Sequence, residues 1–213
     1  MGVIRVEPHP LLVVRAIRAQ FPDTLGSSSS PQWLCALLVP DASVPVAGGE
    51  ELRVAVRDML RHCGYKPTGR GKPASEYLKK IATESALGSI NRAVDVCNVV
   101  SLHSGFPISV VDMDRAREPY SIQAPSSALA YVFNASGQSI DVEGLLCLCD
   151  AEGPCANAVK DSQRTKTHEG TLRTLSVLWG VRGHEAALDR ACVWYCELLT
   201  RLGSTSSEIP LAG

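Results

Sequence analysis

The chain has 213 residues, of which 45% are hydrophobic and 20% are charged, and its net charge at pH 7 is −1. This balance excludes a wholly disordered chain, and the absence of a G-X-Y or heptad repeat excludes collagen-like and coiled-coil architectures. A net charge so close to zero also excludes the overall positive field that is typical of many nucleic-acid binders.

The N-terminal half is predicted to be mainly helical. A short strand is expected at residues 3–6, and a short helix at 10–20, where apolar residues have near-helical spacing. The continuous apolar run at 33–39 favours a buried strand. Amphipathic spacing then predicts three helices, at residues 50–63, 75–82 and 90–103. Gly64 and Gly105 are expected to end the first and the third of these helices.

After Gly105 the hydrophobic period changes from helical to alternating, which predicts a sheet. Strands are expected at residues 107–111, 120–123, 128–133, 139–142, 145–149 and 171–180. A long helix is expected at 185–202, followed by a flexible tail at 204–213. Because helices come early and strands late, we predict one α+β domain over residues 1–203. A helical N-terminal half would pack on a mostly antiparallel sheet half that carries a C-terminal helix.

Basic side chains are concentrated in one segment. Residues 53–80 hold eight Lys or Arg side chains and only two acidic ones. Such a segment either docks a phosphate backbone or forms an ordinary solvated helix face, and composition does not decide between the two.

The eight cysteines do not have the spacing of a metal site, because no Cys-x-x-Cys occurs. They are expected to be reduced, small apolar residues. No apolar stretch is long enough for a transmembrane helix, and the N-terminus lacks the layout of a signal peptide. We therefore expect a cytoplasmic protein with no metal or cofactor and with neither membrane nor DNA as a partner.

One predicted helix carries polar residues in an apolar segment. Asp95, Asn98 and Ser101 follow one another at steps of three, and the strand after Gly105 ends in Asp112. Polar groups in apolar surroundings either bond neighbouring backbone groups or contact a ligand. Both interpretations stay open from the residues alone, because no phosphate-binding loop, nucleophile elbow or metalloprotease motif occurs.

This segment resembles the B3/B4 region of the phenylalanyl-tRNA synthetase β subunit, and the chain is similar to free-standing B3/B4 proteins. The central motif is formed by Val94, Asp95, Asn98, Gly105, Pro107 and Asp112. Looser matches are found at residues 64–67, 73–76 and 160–165, so the resemblance covers residues 50–200.

The resemblance implies a B3/B4-like fold and a trans-acting aminoacyl-tRNA deacylase, with the aminoacylated 3′ end of tRNA as its partner. A positioned water would hydrolyse the ester. The catalytic candidates are Ser109 and Asp161. The substrate-binding candidates are Asn98, Ser101, Asp112, Ser162 and Thr165. The RNA-binding candidates are Lys66, Arg70 and Lys72.

Ser109 stands where the family has a histidine that contributes to editing, and this departure keeps two alternatives open. One is a non-catalytic module that binds an RNA end, an amino acid or a small metabolite. The other is a protein-interaction domain that has lost the pocket. Fold resemblance does not choose among these functions.

Overall fold

The chain folds into two stacked sheets covered on one side by helices. The structure is a computed structural model that describes residues 2–127 and 129–213. In chain order its elements are β1 (Ile4–Val6), β2 (Leu12–Gln20), α1 (Gln32–Cys35), α2 (Glu50–His62), α3 (Ala74–Glu84), α4 (Arg92–Ser104), β3 (Ile108–Asp112), β4 (Ser121–Gln123), β5 (Ala130–Val132), β6 (Ser139–Asp141), β7 (Cys147–Asp150), β8 (Gly153–Asn157), β9 (Arg173–Val181), α5 (Glu185–Arg201), β10 (Thr205–Glu208) and β11 (Leu211–Ala212).

The central sheet has the strand order β10-β2-β9-β3, and all of its pairs are antiparallel. The second sheet has the order β11-β1-β4-β7-β8, in which β1 runs parallel to both of its neighbours and the other pairs are antiparallel. The two strands β5 and β6 pair only with each other and form a hairpin arm, residues 130–141. The α+β class and the mostly antiparallel sheets are confirmed.

The central sheet is buried on both faces. Along β2, Ala16 packs toward the second sheet, whereas its neighbour Ile17 packs toward α4 and α5. Along β9, Trp179 packs toward the second sheet and Leu178 packs toward α4 and α5. Because successive side chains of a strand point to opposite faces, the central sheet separates two apolar cores.

The structure corrects two of the early predictions. Residues 10–20 were predicted as a helix, but β2 occupies Leu12–Gln20. A strand buried on both faces has no polar face, so its apolar residues fell into near-helical spacing by chance. The apolar run 33–39 is not a strand but begins as the one-turn helix α1. Leu34 and Leu38, four residues apart, both enter the helix-side core.

The chain's last residues are also placed differently from the prediction. Residues 204–213 do not form a loose tail, because β10 pairs with β2 and β11 pairs with β1. The N-terminal half supplies β2 in addition to its helices and the predicted strand β1. The strand β8 was not predicted, because Gly153 and Pro154 are residues of turns.

The other predicted helices and strands are confirmed with shifts of a few residues at their ends. One prediction, the strand at 128–133, is confirmed from residue 130, while Ala128 lies outside the described residues. Among the helices of the described ranges, none is both long and apolar enough to cross a bilayer.

Helix α4 forms one wall of the candidate functional site. Its N-terminus is capped by Asn91, whose side-chain oxygen accepts from the N–H groups of Ala93 at 3.1 Å and Val94 at 3.0 Å. Its C-terminus ends at Gly105, whose φ of 81° lies in the left-handed region that glycine tolerates best. The chain then turns directly into β3, so that α4 and β3 lie side by side.

Candidate functional site

A cavity of about 780 Å³ opens between α3, α4, β3 and the hairpin arm. Its inner wall is apolar, with Cys97 of α4 and Ile108 and Val110 of β3, all of which are buried. Its mouth carries Tyr77 and Ile90, which are 60% and 68% exposed. A deep apolar wall with a few convergent polar groups is typical of a small-molecule or ligand-end site.

The acid in the lining of this cavity is Asp161. Its two carboxylate oxygens accept from the backbone N–H of Val110 at 3.2 Å and of Asn157 at 3.4 Å. Burial raises the pKa of Asp161 to about 6, although these two N–H groups and the charge of Lys166 favour the carboxylate. Asp161 is therefore a carboxylate that takes up a proton near pH 6.

The turn that presents Asp161 is held by Asn157. The side-chain oxygen of Asn157 accepts from the N–H groups of Val159 and Lys160, both at 2.8 Å. Its amide nitrogen donates to the Tyr131 hydroxyl, which in turn donates to the Lys160 carbonyl at 2.5 Å. This closed set of bonds ties the turn 157–161 to the hairpin arm and fixes the direction of the carboxylate.

Four cationic side chains also line the cavity: Arg70, Lys72, Lys160 and Lys166. The Lys160 ammonium lies 3.8 Å from the centre of the Phe133 ring, and Lys166 Nζ donates to the Phe133 carbonyl at 2.5 Å. Burial, together with the charges of Arg70 and Lys166, lowers the pKa of Lys160. The cations are thus close enough to repel one another, which concentrates positive potential at the site.

Most of the other basic side chains in the segment 53–80 are neutralised. Arg57 bonds Glu76 through two contacts of 2.6 Å, and Arg53 also reaches Glu76 at 3.7 Å. Arg61 and Lys80 each have an acidic partner on their own helix. Within residues 2–127 and 129–213, by contrast, none of the four cavity cations forms a salt bridge with a carboxylate. The positive surface is therefore at the cavity rather than along the helices.

The structure brings together four of the residues predicted from sequence. Asn98, Asp161, Arg70 and Lys72 line the same cavity, whereas Lys66 does not. These four come from a helix, a turn and a loop that are separated by up to about ninety positions in the chain.

Ser109, predicted as a catalytic residue, does not line the cavity. Its hydroxyl is buried, donates to the Asn157 carbonyl at 3.0 Å and accepts from Trp179 Nε1 at 3.0 Å. Both bonds lie behind the turn that carries Asp161. The position of Ser109 corrects its predicted role to that of a support for this turn, because its hydroxyl is already occupied.

Ser101 and Asp112 also lie outside the cavity lining. The Ser101 hydroxyl donates to the Phe106 carbonyl at 2.8 Å, which closes the turn after α4. The Asp112 carboxylate is fully buried; it accepts from the Thr171 hydroxyl and lies 3.2 Å from His168 Nε2. These bonds tie the end of β3 to the segment before β9, so both residues are structural.

Ser162 and Thr165 hold the 3-10 turn Gln163–Thr165. The Ser162 hydroxyl accepts from the Arg164 N–H at 3.3 Å, and the Thr165 hydroxyl donates to the Cys155 carbonyl at 3.1 Å. Neither lines the cavity, and Ser162 instead lines a separate recess of about 410 Å³ beside the hairpin arm. The sequence pattern identified a real structural turn but did not show that, of Asp161, Ser162 and Thr165, Asp161 alone lines the cavity.

Sequence reasoning missed Lys166, Phe133, Asn157 and Tyr77. Lys166 immediately follows the segment 160–165, so a wider window around that segment would have included it. No local signal marks Phe133 or Asn157, because the hairpin arm and β8 reach the cavity only through the tertiary fold.

Within the described part of the chain, no group of three or more His, Cys, Asp or Glu side chains is arranged to hold a metal ion. The eight cysteines are all free thiols.

No family model matches the chain, and no curated protein matches it. Among solved structures, it is similar to an N-terminal fragment of the phenylalanyl-tRNA synthetase β-subunit from Pyrococcus horikoshii. The identity is 14% and the TM-score is 0.49, over 56% of this chain and 42% of that one. The chain thus spans less than half of the fragment. This is a weak structural resemblance.

Proposed function

We propose that the chain binds the aminoacylated 3′ end of tRNA in this cavity and hydrolyses its ester with a water held by Asp161. The observation that carries the proposal is the combination of one partly buried carboxylate with four cations around a single cavity. An aminoacyl-tRNA end presents the matching chemistry, because phosphates precede an uncharged, reactive ester.

Asp161 is suited to act as a general base. A base works best when its pKa lies near the working pH, and the pKa of about 6 leaves most Asp161 side chains ionised at pH 7.5. The Asp161 carboxylate lines the cavity, and the backbone N–H groups of Val110 and Asn157 hold its orientation. An aminoacyl ester is activated, so a positioned water suffices and no covalent nucleophile is required.

The remaining groups of the lining support the same reaction. Asn98 presents an amide on the cavity side of α4, where it can donate to the carbonyl oxygen as negative charge develops there. Cys97 does not compete as a nucleophile. Burial raises its pKa well above that of an ordinary thiol, and its S–H donates to the Ile108 carbonyl at 3.2 Å.

The direct test is a panel of radiolabelled aminoacyl-tRNAs, including mismatched pairs, followed for loss of the ester. We expect one or a few aminoacyl groups to be removed faster than in buffer, and Asp161→Asn to abolish the difference. Asp114→Asn is a matched control, because Asp114 is exposed and lies outside the cavity. A panel that shows no deacylation above buffer would overturn the proposal.

A second candidate is a binding module without catalysis. It is favoured by the position of Ser109, which replaces the family histidine and whose hydroxyl is used up in structural bonds. In this case the cavity would bind the charged and the uncharged RNA end equally, with no ester loss. The third alternative, an interaction domain without a pocket, is disfavoured because Asn98 and Asp161 face one cavity.

A further inference from the structure

The mouth of the cavity exposes an aromatic ring that no packing explains. Tyr77 lines the cavity, yet 60% of it is accessible to solvent. Among the described residues it takes part in no aromatic or cation–π pair, unlike Phe133, whose face is covered by Lys160. Ile90, which is 68% exposed, lines the same mouth, and exposed apolar surface that is rimmed by polar residues marks a binding groove.

The ring is held on a rigid part of the fold. Helix α3 begins directly after Pro73, and its first N–H, that of Ala74, donates to the Ala158 carbonyl at 2.9 Å. One residue before Tyr77, Glu76 is fixed by its two bonds to Arg57. The backbone under Tyr77 is therefore anchored from two sides, so little entropy is lost when the ring contacts a ligand.

Tyr77 shares its side of the mouth with two of the unpaired cations. Arg70 and Lys72 lie on the loop that leads into α3, and the Tyr65 hydroxyl supports this loop by donating to the Gly71 carbonyl at 3.2 Å. The other two cations, Lys160 and Lys166, contact Phe133 of the hairpin arm. An aromatic face beside cations is the arrangement that single-stranded nucleic acids require, since bases stack while phosphates pair with positive charge.

We infer that Tyr77 is a stacking platform for the unpaired terminal base of a single-stranded RNA 3′ end whose phosphates contact Arg70 and Lys72. The inference deepens the proposed function, because it names the part of the RNA that the same cavity recognises. A duplex end does not fit this role, because its terminal base is already stacked and paired. The platform accepts any base, because every base has a π-face.

The test uses uncharged RNA, so it does not depend on catalysis. A short single-stranded RNA with 2-aminopurine at its 3′ terminus is titrated with the full chain, and both Kd and fluorescence quenching are followed. Tyr77→Ala should weaken binding roughly 5- to 100-fold, the range for loss of one stacked base, and should abolish the quenching. Tyr77→Trp should retain both. Ile90→Ala is the matched control, because Ile90 is as exposed at the same mouth but has no ring.

Each outcome separates this inference from the proposed function. Equal binding by the wild-type chain and Tyr77→Ala overturns the platform and leaves the deacylase proposal intact. Stacking on Tyr77 without ester loss from any aminoacyl-tRNA supports the platform and removes the deacylase. Equal affinity for an RNA with an abasic 3′ terminus, for a blunt duplex or for an acidic peptide would also overturn the platform.

Discussion

Two aspartates, one on α4 and one across the cavity from it, show how the same side chain is used differently in two regions of this molecule. Asp95 is fully buried, and its oxygens accept from the hydroxyls of Ser30 and Ser89 and from the Ile90 N–H. Within the described ranges, Asp161 accepts from two backbone N–H groups, at 3.2 and 3.4 Å, and lines a cavity. A carboxylate whose acceptor sites are filled holds the fold, whereas one with open acceptor sites is free to act on a ligand.

The largest expected effect is on stability, at Asp95. Asp95→Ala leaves two hydroxyls and one N–H without their acceptor inside the protein, so we expect unfolding to become easier by about 3–5 kcal/mol. Denaturant unfolding followed by circular dichroism measures this change.

The matched control is Asp114→Ala, because Asp114 forms only an exposed pair with Arg173 in which both side chains are 52% accessible. Exposed pairs contribute about 0–1 kcal/mol. If the Asp95 variant unfolded at the same denaturant concentration as this control, the structural assignment of Asp95 would be wrong.

For Asp161 we expect the opposite of the Asp95 result: a substitution should change activity rather than stability. Asp161→Asn removes the base but keeps the size of the side chain, so we expect deacylation to fall about 100-fold. The melting temperature should move far less than in the Asp95 variant. A variant that kept its rate would show that Asp161 only bonds the free edge of β3.

The pH dependence sharpens the role of Asp161. Because its pKa is about 6 and the ionised form is the base, the rate should be constant above pH 7 and fall about tenfold at pH 5. The pKa of Asp161 is raised above its ordinary value of 3.8, so its protonation between these values stabilises the folded chain. We therefore expect this group to raise the melting temperature slightly at pH 5, so a fall in rate without a lower melting temperature would report catalysis and not unfolding.

The sequence predicted the fold best where the signal lies within the element itself. Amphipathic α2 is confirmed because its apolar spacing is a local property. Helix α4 is confirmed although most of its residues are buried, because its spacing and its end at Gly105 are local as well. Elements whose pattern depends on tertiary partners were not predictable in this way. Strand β2 is buried on both faces, and the polar strand β10 forms only because β2 offers it an edge.

The site was predictable only in part for the same reason. The motif selected Asn98 and Asp161, which line the cavity, but it could not distinguish a polar side chain that faces the cavity from one that closes a turn. Ser109 and Asp112 belong to the second kind. Their partners, Asn157 and Thr171, are far away in sequence, so only the folded chain shows that their polar atoms are occupied.

The next largest effect, on RNA binding, compares the cations that line the cavity with basic side chains that already form salt bridges. Lys160→Ala combined with Lys166→Ala removes two unpaired cations, so we expect RNA binding to weaken roughly tenfold and the salt slope of binding to fall by about 1.4. Arg61→Ala combined with Lys80→Ala removes the same charge from two side chains that each have an acidic partner on their own helix, so we expect little change in binding. Filter-binding titrations at several salt concentrations measure both. Equal losses in the two double variants would show that only total charge matters.

The smallest effect should be at Lys66, which the sequence placed on the RNA-binding surface beside Lys72. Both side chains are exposed, but only Lys72 lines the cavity. Lys72→Glu should therefore weaken RNA binding several-fold, whereas Lys66→Glu should change it by less than about twofold, because screening by salt reduces the influence of a charge that does not contact the ligand. The same titrations compare them at 0.15 M salt. If Lys66→Glu weakened binding as much as Lys72→Glu, the RNA would extend beyond the cavity along the loop that begins at Lys66.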